Sequence, residues 1–172
     1  MKVLLEGRPG SGKTTLAVRL SNLLGERGVA VGGFVTHELR EGGRRVGFAV
    51  EAIGGERATL AHVSLGGPPR VGRYGVDLEA FERVALPALE KPPRKGVVVI
   101  DEIGKMELAS ERFREAVVRL LETSVDLVAT VHVFAHPFTD RLKQRDDVER
   151  LRVTRASRDT LPEQLADKLA AT

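Results

Sequence analysis

A glycine-rich segment near the start of the chain has the residue types and spacing of a phosphate-binding loop. Its eight residues fit the pattern G-x-x-x-x-G-K-[ST] in full, and they are Gly7, Arg8, Pro9, Gly10, Ser11, Gly12, Lys13 and Thr14. Glycines let backbone N–H groups turn inward around phosphate oxygens, and the N-terminus of a following helix adds positive charge. We expect Lys13 to contact the β- and γ-phosphates and Thr14 to coordinate Mg²⁺. The loop predicts nucleoside-triphosphate binding and leaves hydrolysis, kinase transfer and switching open.

A second candidate for chemistry is an apolar strand that ends in two acids, the form of a Walker B element. The strand residues Val97, Val98, Val99 and Ile100 are followed by Asp101 and Glu102. We expect Asp101 to hold Mg²⁺ through water, and Glu102 to orient or deprotonate a water that attacks the γ-phosphate. Any strand can instead end in acidic surface residues. The complete phosphate loop upstream favours the functional interpretation.

The glutamate beside the aspartate bears on the reaction class. A small-molecule kinase does not need a base that activates water, because its acceptor is the substrate. The Asp-Glu pair at 101 and 102 therefore favours hydrolysis. It also favours the P-loop branch in which another strand lies between the phosphate-loop strand and the acid strand.

Length and composition exclude several classes of protein. The chain has 172 residues, which predicts one domain over residues 1–172. It has no cysteine, so disulfides, thiolate metal sites and cysteine nucleophiles are excluded. Its net charge of +3 is too weak to demand a nucleic-acid partner, and it has few aromatic stacking platforms. No apolar run reaches membrane-spanning length, and the first residues are too short a run for a signal peptide. We therefore expect a cytoplasmic protein without a membrane partner.

The elements that must position these residues alternate between strand and helix, which predicts an α/β domain with a mainly parallel sheet. Strand patterns cover residues 2–6, 29–36, 46–53, 59–63, 97–100, 126–133 and 148–153, and helix patterns cover residues 13–27, 77–89, 110–123, 137–144 and 161–170. The strands after the first helix predict an inserted antiparallel hairpin or meander. Residues 64–75 are rich in Gly and Pro and predict a loop. Pro87 predicts a kink or an early end of its helix.

The string Asp101-Glu102-Ile103-Gly104-Lys105-Met106-Glu107-Leu108 closely resembles one family, with support from residues 34–40, 43–48 and 71–77. The family is the small P-loop nucleoside-triphosphatases of thermophilic bacteria and archaea, which has a human relative called cancer-related nucleoside-triphosphatase. The resemblance extends over essentially the whole chain. Residues 130–137 depart from the family pattern, so no role is transferred to them.

This resemblance implies a RecA/AAA-like P-loop domain with a mostly parallel central sheet flanked by helices and an inserted antiparallel hairpin. It implies hydrolysis of nucleoside triphosphates that is slow and tolerant of the base. The nucleotide-binding stretches carry over to the phosphate loop and to Val97, Val98, Val99, Ile100, Asp101, Glu102, Ile103 and Gly104. The site predicted from residues and resemblance together has Glu102 and Lys13 as catalytic residues and Thr14 and Asp101 as metal ligands.

Other polar residues are weaker candidates for a role in catalysis or binding, and for most of them a structural role is favoured. Lys105 either contacts the γ-phosphate or pairs with Glu107, and an ordering role is favoured. The inserted strands carry Glu38, Arg40, Arg44 and Arg45, which either reach the nucleotide or line a solvated rim. Arg73 is a modest candidate for an arginine finger. The mixed charges from Arg141 to Arg158 form either a lid over the nucleotide or a salt-bridged surface, and the surface is favoured. Either one of His132 and His136 lies near the nucleotide or both are ordinary strand-end residues, and the second interpretation is favoured.

Two other functions fit the same scaffold. A nucleotide, nucleoside or polynucleotide kinase would consume ATP only with an added acceptor. A nucleotide-dependent binding switch would bind nucleotide tightly, with negligible turnover. The base preference, the pathway and the oligomeric state do not follow from the residues, although a monomer is favoured.

Overall fold

The computed structural model describes residues 1–171, which form one mixed β-sheet and five α-helices. The strands are β1 Lys2–Glu6, β2 Ala30–Glu41, β3 Arg44–Ala52, β4 Arg57–His62, β5 Arg70–Val71, β6 Tyr74–Val76, β7 Gly96–Ile103, β8 Asp126–Val131 and β9 Glu149–Arg152. The helices are α1 Lys13–Glu26, α2 Leu78–Glu90, α3 Glu111–Leu121, α4 Pro137–Lys143 and α5 Leu161–Ala170, with a short 3-10 helix at Glu107–Ala109.

The sheet has a parallel half and an antiparallel half. Its strand order is β5-β6-β4-β3-β2-β7-β8-β1-β9. The pairs β2·β7, β7·β8, β8·β1 and β1·β9 are parallel, whereas β2 to β6 form antiparallel pairs. β8 separates the phosphate-loop strand β1 from the acid strand β7, which confirms the predicted branch. Because parallel strands end at the same edge of a sheet, the ends of β1, β7 and β8 lie together.

Helices cover both faces of the parallel half, so the sheet separates two apolar clusters. In β7, Val98 and Ile100 belong to the cluster beneath α2 and α3, and Val97 and Val99 to the cluster beneath α1 and α5. This alternation confirms that the acid strand is covered on both faces. The first cluster centres on three phenylalanine rings at centroid distances of 5.3–5.9 Å, contributed by Phe34, Phe81 and Phe113.

Local sequence signals explain where several helices begin. The Asp77 side chain accepts a hydrogen bond from the Ala80 N–H at 2.9 Å, and the Ser110 hydroxyl accepts one from the Phe113 N–H at 3.0 Å. Both residues therefore act as N-caps. The expectation that Pro87 ends its helix early was wrong, because α2 continues through it to Glu90.

The inserted segment is larger than a hairpin, because residues 64–75 were predicted as a loop and instead contain β5 and the start of β6. These strands are only two and three residues long, and they form by pairing with each other and with β4. β2 also continues beyond the predicted end at residue 36 to Glu41, so that one strand joins the parallel half to the antiparallel half.

A glycine permits the close approach of β2 and β7. Gly33 has φ +97°, and a Cβ built there would lie 1.9 Å from the Val99 carbonyl oxygen. Only glycine fits this position without displacing the backbone of the acid strand. No helix within residues 1–171 has the length and apolar character needed to cross a membrane.

Candidate active site

The predicted phosphate loop lies between β1 and α1, at the end of the parallel sheet. Gly12 has φ +96° and precedes the first turn of α1, a conformation that turns the chain from loop into helix. Lys13 is 8% exposed, and its ammonium donates to the Gly7 carbonyl at 2.9 Å and the Arg8 carbonyl at 3.4 Å. The Thr14 side chain is exposed and faces the adjoining cavity. The helix N-terminus and a buried ammonium thus face the same space, as binding of a polyphosphate requires.

Asp101 lies at the end of β7 and is fully buried. Its carboxylate accepts hydrogen bonds from the hydroxyls of Thr130 at 2.7 Å and Thr36 at 3.0 Å. These three side chains come from adjacent strands β8, β7 and β2, so the sheet fixes the carboxylate from both sides. The two threonines were missed by sequence reasoning, since nothing local to either residue indicates a partner in another strand.

The oxygen donors near the loop fit a magnesium ion. Asp101 forms no ion pair with a lysine or arginine among residues 1–171, and a buried carboxylate without a cation is costly. Mg²⁺ prefers oxygen ligands and is commonly held by one or two protein oxygens together with substrate phosphates. Asp101 and Thr14 supply such oxygens. No group of three or more His, Cys, Asp or Glu side chains suited to a metal occurs within the described residues.

Glu102 approaches the phosphate loop from the same strand end. One carboxylate oxygen lies 3.7 Å from the Lys13 ammonium. Burial raises the pKa of Glu102 above its ordinary value, and the negative charge of Asp101 adds to this, while Lys13 opposes it. A carboxylate with a raised pKa accepts a proton more readily, which suits a general base. The structure therefore brings the two predicted catalytic residues, Glu102 and Lys13, together.

Two further titratable residues border the site. Glu107 is 4% exposed, and burial raises its pKa well above the ordinary range, with the nearby Glu102 charge adding to the effect. His132 is 6% exposed, and burial lowers its pKa, helped by the Lys143 ammonium. Among the described residues, no hydrogen-bond partner reaches His132 Nδ1. His132 directly follows β8, as predicted for a strand-end residue, and it also lines the active-site cavity.

The cavity that contains this site has a volume of about 320 Å³. Its lining combines polar residues, among them Lys13, Thr14 and Glu102, with apolar side chains such as Phe48 and Phe134. A second cavity of about 420 Å³ continues from the loop past Thr15 and Arg158. Both cavities therefore border the phosphate loop.

Some of the weaker candidate residues line the active-site cavity and others lie outside it. Arg45 and Lys105 line the cavity, and the Lys105 ammonium lies 4.7 Å from the centroid of the Phe134 ring instead of pairing with Glu107. Arg73 lies outside the cavity lining and donates to the Arg45 carbonyl at 2.5 Å, so its position gives no support to an arginine finger.

The remaining charged residues are divided between surface and loop. Glu38 lines the second cavity and pairs with Arg40 at 2.8 Å. Arg145 pairs with Asp147 and Glu122, which agrees with the predicted salt-bridged surface. Arg158 pairs with Asp159 at 3.7 Å, and its side chain also packs against Gly12 of the phosphate loop. The imidazole of His136 accepts a hydrogen bond from the Phe138 N–H at 3.1 Å and so caps α4.

Comparison with known proteins identifies the family of this chain. The model of a family described as NTPase matches residues 2–166, and the chain belongs to this family. A nucleoside-triphosphatase THEP1 from Thermofilum pendens is 47% identical over 173 residues, covering 98% of this chain and 94% of the relative. The one from Thermotoga sp. strain RQ2 is 43% identical over 162 residues, covering 94% and 91%. The human cancer-related nucleoside-triphosphatase is 43% identical and covers 92% of this chain and 91% of its own. The predicted family is therefore confirmed.

Solved structures confirm the fold. The crystal structure of THEP1 from Aquifex aeolicus superposes with a TM-score of 0.88 at 33% identity, covering 98% of this chain and 99% of that one. The solution structure of the human cancer-related nucleoside triphosphatase has a TM-score of 0.85 at 40% identity, with 99% and 98% covered. The α/β P-loop architecture predicted from the sequence thus recurs over the whole described chain.

Proposed function

We propose that this chain hydrolyses nucleoside 5'-triphosphates to the diphosphate and inorganic phosphate, with Mg²⁺ as its cofactor. The main observation in its support is that the Lys13 ammonium and the Glu102 carboxylate lie 3.7 Å apart at the phosphate loop. The names of its relatives, nucleoside-triphosphatases at 43–47% identity, support the same activity.

The phosphate loop supplies the binding energy for the triphosphate. Lys13 now donates to carbonyls of its own loop, and phosphate oxygens would replace these acceptors when nucleotide binds. The ammonium then neutralises charge on the β- and γ-phosphates while the loop N–H groups donate to phosphate oxygens. Both interactions strengthen as charge shifts toward the leaving diphosphate, and they therefore lower the barrier.

Thr14 and Asp101 are the residues that would hold Mg²⁺. When bound, the ion neutralises charge on the phosphate oxygens and so assists departure of the diphosphate. The hydrogen bonds from Thr36 and Thr130 keep the Asp101 carboxylate in one orientation and stabilise its charged form. This arrangement lets a fully buried carboxylate remain available to a cation.

Glu102 acts as the general base in this proposal. A water beside the γ-phosphate gives its proton to the Glu102 carboxylate, its oxygen bonds to the γ-phosphorus, and the bond from that phosphorus to the bridging oxygen breaks. The raised pKa of Glu102 makes the carboxylate a better proton acceptor. Lys13 favours the ionised form, since the ammonium opposes the effect of burial on the pKa of Glu102.

The enzyme should tolerate different bases, because the contacts assigned to Lys13, Thr14, Asp101 and Glu102 involve phosphate, metal or water. Comparing kcat/KM for ATP, GTP, CTP and UTP tests this expectation. A preference above about a thousandfold, or ~4 kcal/mol, would contradict it, since that discrimination needs specific hydrogen bonds to the base.

The substitution Glu102→Gln separates binding from hydrolysis. The amide has nearly the same size, so nucleotide affinity should persist, while kcat should fall about 10²–10⁴-fold with loss of the base. Single-turnover phosphate release and nucleotide titration measure the two effects. Glu115→Gln is a matched control, because Glu115 lies on the exposed face of α3. Wild-type hydrolysis by Glu102→Gln would exclude Glu102 as the base.

Incubation with each nucleoside triphosphate and Mg²⁺, with no acceptor present, distinguishes the alternatives. Hydrolysis predicts equal amounts of diphosphate and phosphate. A kinase would require an added acceptor before it produced diphosphate. A switch would bind nucleotide with negligible turnover and would change its affinity for a partner with nucleotide state.

A further inference from the structure

A buried nitrogen at the active-site cavity, the Nδ1 of His132, has no part in hydrolysis as described above. His132 lines the cavity and is 6% exposed. Within residues 1–171, Nδ1 has no hydrogen-bond partner. A buried polar atom without a partner lowers stability, so packing alone gives no reason for an imidazole at this position. The unpaired nitrogen therefore indicates a partner that binds in the cavity.

The register of the sheet places His132 between the phosphate loop and the acid pair. In β8, Val131 pairs with Glu6 of β1 on one side and with Ile103 of β7 on the other. Glu6 directly precedes the phosphate loop, and Ile103 directly follows Glu102. Neighbouring strands are about 4.8 Å apart, so the residue after Val131 enters the space flanked by the loop and by the end of β7. The γ-phosphate and the attacking water are expected in this space.

Both the backbone and the ring of His132 are held in place. The Lys143 ammonium donates to the His132 carbonyl at 2.9 Å and pairs with Glu6 at 3.2 Å, which ties the end of β8 to the end of β1. The rings of Phe134 and His136 lie at centroid distances of 5.9 and 6.3 Å from the imidazole. A side chain fixed in this way can orient a small partner with little further loss of conformational freedom.

The hydrogen bonds of the ring indicate that Nδ1 is an acceptor. Nε2 lies 3.3 Å from the Thr139 hydroxyl oxygen, and that hydroxyl donates its single proton to the His136 carbonyl, also at 3.3 Å. The Thr139 oxygen therefore accepts from Nε2, which carries the imidazole proton and leaves Nδ1 bare. Burial lowers the pKa of His132, and the Lys143 ammonium adds to this effect, so the neutral ring is favoured.

A bare nitrogen needs a donor, and the attacking water is the donor expected in this space. Phosphate oxygens are themselves acceptors, and Mg²⁺ prefers oxygen ligands. The Lys105 ammonium lies over the Phe134 ring, 4.7 Å from its centroid. In the proposed hydrolysis, Glu102 accepts one proton of the water, which leaves the second O–H group of that water without an acceptor.

We propose that His132 accepts a hydrogen bond from the attacking water through Nδ1 and is a further catalytic residue beside Glu102. This inference rests on the proposed function, because the water is the one that attacks the nucleoside triphosphate. One O–H group of the water points to Glu102 and the other to Nδ1, so a lone pair of the oxygen faces the γ-phosphorus.

The step balances without a further reactant. The water oxygen bonds to the γ-phosphorus, the bond from phosphorus to the bridging oxygen breaks, and the first proton moves to Glu102. The second proton stays on the oxygen and becomes part of the phosphate product. His132 remains neutral throughout.

Substitutions that retain one ring-nitrogen position or the other test this role. Asparagine places a polar atom near the position of Nδ1, and glutamine places one near that of Nε2. His132→Gln should lower kcat about 10–100-fold while nucleotide affinity persists, because the water loses an orienting acceptor. His132→Asn should be about two- to tenfold more active than His132→Gln, the size of one neutral hydrogen bond. Single-turnover phosphate release at saturating ATP and Mg²⁺ measures kcat, and nucleotide titration measures affinity.

His136→Asn is the matched control. His136 carries the neighbouring imidazole and lies outside the cavity lining. Its ring caps α4 by accepting from the Phe138 N–H, and asparagine is a favoured residue at such a cap. His136→Asn should therefore release phosphate at the wild-type rate.

The double variant Glu102→Gln/His132→Gln tests whether the two residues act on one water. Residues that act as a unit have non-additive effects on catalysis. The double variant should therefore lose clearly less activity than the product of the two single losses. Losses that multiply would show independent roles and would overturn the shared water.

The outcomes separate this role from the proposed function. Wild-type kcat in both His132 variants would overturn the role of His132 and leave hydrolysis intact. A raised KM with unchanged kcat would place His132 on the nucleotide and also overturn it. A loss in His132→Asn equal to or greater than that in His132→Gln, or failure of both to fold, would make the role structural. Absence of phosphate release by the wild type would overturn hydrolysis, and the role of His132 with it.

Discussion

Replacing Thr130 by valine tests the hydrogen bonds that hold the Asp101 carboxylate. The Thr130 hydroxyl donates to Asp101 at 2.7 Å, and both side chains are buried. Valine has nearly the same shape as threonine, so the change removes the donor and leaves the surrounding packing in place. Asp101 then keeps a single threonine donor, from Thr36 at 3.0 Å.

The expected loss follows from the charge and burial of the acceptor. A hydrogen bond to a charged group contributes about 1.5–3 kcal/mol, which exceeds the contribution of a neutral pair. Water cannot replace the lost donor, since Asp101 is 0% exposed. For a chain of this length, each kcal/mol shifts the melting temperature by about 2–4 °C, so Thr130→Val should lower it by about 3–12 °C.

Urea unfolding of the nucleotide-free protein at neutral pH measures this loss. Thr139→Val is the matched control, because Thr139 is equally buried at 0% exposure but its hydroxyl contacts the neutral His132 ring and the His136 carbonyl, each at 3.3 Å. It should lose only about 0.5–1.5 kcal/mol. If the two variants lose the same free energy of unfolding, the argument that Thr130 stabilises a buried charge is wrong.

Three further predictions concern the buried carboxyls and the sheet. Glu107→Gln should increase the free energy of unfolding at pH 8 but not at pH 5, as measured by urea unfolding. Because the pKa of Glu107 is raised in the native state, the native state binds the proton more tightly than the unfolded chain does. The stability of the wild type therefore falls as pH rises from the ordinary glutamate range through that raised pKa. The acid limb of kcat/KM should lie above the ordinary glutamate range, because the pKa of Glu102 is raised, and a limb within that range would contradict its assignment. Gly33→Ala should lower the free energy of unfolding by at least about 4 kcal/mol or prevent folding, because the new Cβ would clash with Val99. Gly42→Ala is the control, since Gly42 has φ +54° and nothing lies within 4 Å of the new Cβ. This variant should lose only about 1–2 kcal/mol.

The sequence determined those parts of the molecule whose physical cause is local. The phosphate loop could be predicted because closely spaced glycines, a lysine and a threonine are needed within one turn of backbone around a phosphate. The acid strand β7 could be predicted because a continuous β-branched run is typical of a strand buried on both faces. The cap at Asp77 is local in the same sense, because its side chain bonds to an N–H group three residues ahead.

Only the tertiary structure decided which distant residues share the site. Thr36 and Asp101 are 65 residues apart, and they meet because β2 pairs with β7 in one particular register. Strands β5 and β6 have too few residues to be recognised, and they exist only through pairing with each other and with β4. Phe134 and Phe48 become neighbours of the phosphate loop in the same way. Strand order and register depend on the packing of the whole sheet, so the phosphate loop could be predicted residue by residue and the walls of its cavity could not.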